Sequence, residues 1–149
     1  MKEYYKNPEI TAQTIRNGWL YTGDIALADD EGFIWIQDRL KDMIISGGEN
    51  VYPAEVENVI LGHPGVADVA VIGIPHEKWG ETALAVVVRA PDTDATEQDI
   101  ISFSHERLAK FKCPTQVAWI DVLPRNPSGK VLKKDLREPY WVGRERRVN

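Results

Sequence analysis

The chain has 149 residues, 43% hydrophobic and 28% charged, with a formal net charge of −5. That length suits one ordinary domain, or a small domain with an appended piece, and the acidic balance excludes a general nucleic-acid binder. No apolar run approaches the roughly 18 residues of a transmembrane helix, and the lone Cys113 excludes an internal disulfide, so a soluble, cytoplasmic chain is expected.

In chain order, the sequence predicts a helix over residues 4–17, with Asn7 as cap, Pro8 in the first turn and Asn17-Gly18 as its end. Short strands are expected at 19–21, 25–28 and 33–37, the last two joined by the turn Asp29-Asp30-Glu31-Gly32. These pieces offer too little surface for a core. Residues 1–38 therefore read as a β-rich remnant that leans on something else, with strand edges that leave an oligomer open.

A charged joint at Asp38-Arg39-Leu40-Lys41-Asp42 leads to a short strand at 43–45 and a glycine loop at 46–52. Pro53 opens a helix with Val56, Val59 and Ile60 as its apolar stripe, ended by Gly62. Residues 66–74 and 84–89 are apolar at nearly every position, the pattern of strands covered on both faces. Thr96 caps a helix at 97–110, Asp99 completes a capping box, and Ile100, Phe103, Arg107, Leu108 and Phe111 mark its inner face. A third strand at 116–121 and a short helix at 132–138 follow. The expectation is an α+β fold: a small three-stranded sheet with flanking helices over 39–141, then a flexible tail at 142–149.

Several stretches could carry chemistry. Tyr21-Thr22-Gly23-Asp24 places a carboxylate after a strand, where it can accept from a ribose diol, although an ordinary turn aspartate is the commoner case. Arg39 can grip a phosphate or carboxylate, though a solvated surface arginine is commoner; Gly47-Gly48 precede a helix start as an anion loop would, but without Walker spacing such a pair is usually a turn. Pro124-Arg125-Asn126-Pro127-Ser128-Gly129-Lys130-Val131-Leu132 presents one lysine on a long loop, and such loops are disproportionately functional. Trp79 is either a half-exposed packing residue or a platform for a base. His63, His76 and His105 lack ligand spacing, so no metal site is expected.

Three of these motifs, in this order, resemble the C-terminal part of an adenylate-forming acyl-CoA synthetase over residues 2–140. Tyr21 to Asp24 matches the ribose signature, Asp38 to Glu57 the hinge and loop signature, and Pro124 to Leu132 the terminal lysine motif. The glycine loop and the helix start after it are similar to the fatty-acyl and aryl-CoA ligase branches. The resemblance implies a mobile lid that rotates between adenylation of a carboxylic acid by Mg-ATP and transfer of the acyl group to CoA.

It implies that Asp24 and Arg39 bind ATP or AMP, that Lys41 is the hinge, and that Lys130 bridges carboxylate and α-phosphate. Gly47 and Gly48 would line the pantetheine tunnel, with Trp79 and Phe111 at the CoA adenine. Where relatives carry basic CoA-phosphate contacts, this chain has Cys113 and Thr115, leaving Lys110 or Lys112 as substitutes. Mg2+ would not be bound by this segment. The implied partner is a large N-terminal adenylation domain, without which the chain should be inactive. Two alternatives are a carrier-protein-dependent adenylation domain fragment and a free-standing module that binds CoA or a partner.

Overall fold

A computed structural model describes residues 1–144. Helix α1 (Pro8–Thr14) starts as the sequence asks, the Asn7 side chain accepting from the Ile10 amide at 3.1 Å. It stops short of Asn17-Gly18. Those two residues, at φ 54° and 81°, form the two-residue turn of a hairpin between β1 (Ile15–Arg16) and β2 (Trp19–Leu20). Asn-Gly favours this turn strongly, and α1 has no buried residue to oppose it.

A second hairpin pairs β3 (Asp24–Ala28) with β4 (Ile34–Arg39). Leu27, Phe33, Ile34, Trp35 and Ile36 on it are all exposed, and the first buried residue in the chain is Asp38. After a 3₁₀ turn at Leu40–Asp42, the expected glycine loop is instead a tight hairpin of β5 (Ile44–Ser46) and β6 (Glu49–Val51). Gly47 and Gly48 turn it at φ 61° and 94°, a pairing that side-chain-bearing residues rarely adopt.

The main body follows: α2 (Pro53–Leu61), β7 (Val66–His76), β8 (Gly80–Arg89), α3 (Glu97–His105), β9 (Gln116–Trp119) and α4 (Lys133–Arg137). Strands β7 and β8 run antiparallel, and β9 lies parallel to β8. These are the three expected strands. The β5–β6 hairpin joins them where Ser46 meets Gly80, so the sheet has five strands and the fold is α+β. Thr96 and Asp99 form the capping box of α3. The helix ends at His105, well before residue 110. Ser104 Oγ donates to the Ile100 carbonyl at 2.8 Å, while Arg107 donates to the Phe103 carbonyl and lies over that ring. Arg107 is therefore exposed rather than on the inner face, and so is Phe111.

The apolar runs of β7 and β8 are explained by two cores, one on each face. On the first, Val69, Val71, Ala83, Ala85 and Val87 pack under Val56 and Ile60 of α2 and Ile100 of α3. On the second, Ala70, Ile72, Ile74, Leu84 and Val86 are covered by Leu123, with Ile120, Val131 and Leu136 beside it. Each fully buried aliphatic side chain is worth about 1.5–3 kcal/mol.

On β7 and β9, side chains meet some of the outward backbone groups. On β7, the Val71 amide donates to Glu57 of α2 at 2.7 Å, and the Gly73 carbonyl accepts from the Trp141 indole at 2.9 Å. Lys133 pairs with the same Glu57 at 2.6 Å. On β9, the Val117 amide donates to Glu97 of α3 at 2.9 Å. The tail expected at 142–149 lies largely outside the described residues, though Val142, Gly143 and Arg144 are exposed.

Candidate functional site

Antiparallel pairing of β3 with β4 sets Asp24 opposite Arg39, and their side chains form an ion pair at 2.6 Å. Thr22 Oγ1 accepts from the Asp24 amide at 3.1 Å, and Gly23 holds φ 75° just before it. The contact uses one carboxylate oxygen and one guanidinium nitrogen, both reachable from solvent: Arg39 is 49% and Asp24 24% exposed. The two residues expected to share one nucleotide are thus neighbours, and each is a strong partner for hydroxyls or phosphate.

Lys41 lies between two anchors that belong to different parts of the chain. Upstream, the Leu40 amide donates to the Gly23 carbonyl at 2.8 Å. Downstream, Asp42 meets Arg137 of α4 in a long ion pair of 3.4 Å. A joint at residue 41 would leave both anchors intact. Asp38, which sequence reasoning passed over, reaches across this joint. Its Oδ1 accepts from the Arg39 amide at 2.7 Å and its Oδ2 from the Ala54 amide at 2.8 Å, at the start of α2.

At the end of the sheet, the β5–β6 hairpin, α3 and the 3₁₀ turn Lys110–Lys112 enclose a groove of about 760 Å³. Gly47, Trp79 and Phe111 all line it, so three of the four residues expected at CoA come together. Gly48 does not; it lies in the same turn, with open space where a side chain would point. At Gly47 a Cβ would stand 2.9 Å from Trp79 Cε3, and the Gly47 amide donates to the Trp79 carbonyl at 2.9 Å. Glycine here is a steric requirement as well as a backbone one.

Two histidines also serve this groove. His76 Nδ1 accepts from the Lys78 and Trp79 amides, each at 3.2 Å, and its ring stacks with Trp79. His105 is on the wall. Of the two lysines, Lys112 is committed: its ammonium meets both Glu55 oxygens at 2.7 and 2.8 Å. Lys110 lines the groove. Cys113 is buried in the floor, and burial pushes its thiol up, which suits packing rather than nucleophilic chemistry.

Lys130 stands elsewhere. Its loop is fixed by Asn126, whose Oδ1 accepts from the Ser128 and Lys130 amides, and by Arg125, which pairs with Asp68 of β7 at 2.6 Å. Arg125 and Val131 form a bridge across the loop base. Val131 packs on the second core, while Lys130 is exposed and, among the described residues, has no ion-pair partner. The structure therefore does not bring Lys130 to the glycine groove, one of whose walls is α3 of the first face. Among the described residues no group of His, Cys, Asp or Glu side chains is placed to hold a metal, and no helix is long and apolar enough to cross a membrane.

The family model for the AMP-binding enzyme C-terminal domain matches residues 55–130. The chain belongs to this family. Within the AMP-binding enzymes it is 57% identical over 140 residues to the long-chain-fatty-acid–CoA ligase FadD13 of Mycobacterium tuberculosis, covering 94% of this chain and 28% of that protein. It is 48% identical over 149 residues to the fatty acid–[acyl-carrier-protein] ligase ScoC of Streptomyces coeruleorubidus, covering all of this chain and 29% of that protein. The crystal structure of ATP-bound MatB from Rhodopseudomonas palustris superposes with a TM-score of 0.85 at 44% identity, over 93% of this chain and 28% of that one. The chain thus spans less than a third of the length of these relatives.

Proposed function

We propose that these residues work as the mobile C-terminal lid of an ATP-dependent acid–thiol ligase. Its substrate is a carboxylic acid, a medium- or long-chain fatty acid. The acid is first joined to AMP with release of pyrophosphate, and the acyl group then passes to the thiol of CoA. The observation that carries the reading is the separation of two surfaces on one small sheet: an exposed lysine, Lys130, presented by a pinned loop over the second core, and an aromatic-walled groove beside the first.

In this reading Asp24 accepts from the ribose hydroxyls and Arg39 binds the adjoining phosphate, each giving up part of the ion pair between them. Lys130 stands between substrate carboxylate and α-phosphate, offsetting the repulsion of two anions and the charge that builds as they join. Its ammonium is strong there only when water is excluded: two unit charges about 4 Å apart gain about 1 kcal/mol in water and about 4 at an effective dielectric of 20. The lid turns at Lys41, and the groove then receives the thiol arm. The residues present fit CoA: Gly47 keeps the entrance narrow and free of side chain, while Trp79 and Phe111, 45% and 42% exposed, offer faces for adenine. ATP enters with its own Mg2+.

Residues 1–38 belong, in the same reading, to the preceding adenylation domain, which covers their exposed apolar side chains, and the lid begins at residue 39. Full-length enzyme should release AMP only with ATP, fatty acid and CoA together. Residues 1–149 alone should release none, and turnover above a boiled control refutes the assignment of lid. The similarity to ScoC over the whole chain supports a second acceptor, a carrier-protein thiol. Supplying the full-length enzyme with CoA or with pantetheinylated carrier protein separates the two.

A further inference from the structure

We infer that Asp38 is a positioning residue, a latch across the joint that holds the lid in the arrangement seen here by capping α2 from the other side. This rests on the ligase reading above. Helix α2 has no cap of its own: Tyr52 stands at the N-cap in extended conformation, φ −95° and ψ 110°, without a side-chain bond. The amides of a helix's first turn need an acceptor, and the Ala54 amide finds it in Asp38 Oδ2 at 2.8 Å. Asp38 is 8% exposed and its second oxygen is bound to the Arg39 amide, so both oxygens are committed.

The two ends of this contact lie on opposite sides of Lys41. Asp38 is held upstream, opposite Ile25 in the β3–β4 pairing. Ala54 is held downstream, because α2 is fixed to the sheet through Val56 and Ile60. A turn of the lid at Lys41 carries Ala54 away from Asp38. A contact made in one arrangement and lost in the other biases the population between them by its own differential strength. Because the chain in this arrangement superposes on an ATP-bound relative, the latch favours the adenylating state.

The test measures both half-reactions in the full-length enzyme. Asp38→Ala should lower fatty-acid-dependent pyrophosphate exchange about five- to tenfold, tenfold corresponding to about 1.4 kcal/mol. Thioester formation from supplied acyl-adenylate should be unchanged or faster. A second variant separates the latch from simple helix stability: Asp38→Ala combined with Tyr52→Ser gives α2 a cap within its own segment. It should recover the melting temperature but not the exchange rate. Equal loss in both half-reactions, unchanged exchange, or recovery of exchange together with melting temperature would overturn the latch. A wild-type enzyme with neither half-reaction would instead overturn the ligase reading.

Discussion

On one face of the central sheet, two helices bury Val56, Ile60 and Ile100 against β7 and β8. On the other, the cover is a short helix and an irregular run of chain, resting on Leu123 and pinned by Arg125 to Asp68 and by Trp141 to Gly73. The helical face carries a groove at its end; the thinly covered face carries an exposed cation. Thick regular packing provides fixed walls for a narrow arm, whereas a pinned loop can present one side chain to a partner without burying it. In the lid reading proposed above, the two surfaces serve different steps, and the fold keeps them apart.

The largest expected effect falls on the second face. Lys130→Ala in the full-length enzyme should reduce pyrophosphate exchange about 10²–10³-fold while sparing thioester formation from supplied acyl-adenylate. Equal losses would mean that the faces do not divide the work. The mirror test is Gly47→Ala on the first face, whose Cβ must enter space held by Trp79 at a φ of 61°. Thioester formation should fall about tenfold, with adenylation retained and stability lowered by about 1–2 kcal/mol.

A finer distinction concerns the two lysines. Lys110→Ala should raise KM for CoA about three- to fivefold at constant kcat, whereas Lys112→Ala should leave that KM unchanged and cost at most about 1 kcal/mol of stability. Steady-state kinetics with varied CoA decides between them. The smallest effect is set by pH at α3. The Thr96 hydroxyl, and then its backbone amide, hold the Asp99 carboxyl below its ordinary 3.8. A depressed folded-state value means that this contribution is complete above the ordinary range and fades as pH falls through the lowered value. Thr96→Ala should therefore narrow the difference in melting temperature between neutral and strongly acidic solution.

Much of this fold could be read in the residues. Strands β7 and β8 were legible because burial on both faces leaves an unbroken apolar run, and α1 and α3 because Asn7 and Thr96 are capping residues with a mechanism. What failed were turns and helix ends. Asn17-Gly18 looked like a helix stop, and residues 46–52 like a loop in which Gly47-Gly48 is ordinarily a turn; both glycine pairs are two-residue hairpin turns whose pairing depends on the strands they join. Helix α3 ended early, and Arg107 bonds the Phe103 carbonyl of its last turn, a local contact that apolar periodicity does not register. In the groove, Trp79 and Phe111 lie far apart in sequence, and only the fold sets them on one surface. Asp38 left one trace in the sequence: Tyr52-Pro53 begins a helix with no residue able to cap it, so the acceptor had to come from a distance.

The glutamates over the outer strands have a consequence beyond this domain's own stability. An open sheet edge invites other chains to add a strand, the usual route to domain swapping and aggregation. Here Glu57 and Glu97 occupy outward amides on β7 and β9, and Trp141 takes an outward carbonyl. Side chains seated on outward groups make β7 and β9 poorer templates for a strand from a second molecule.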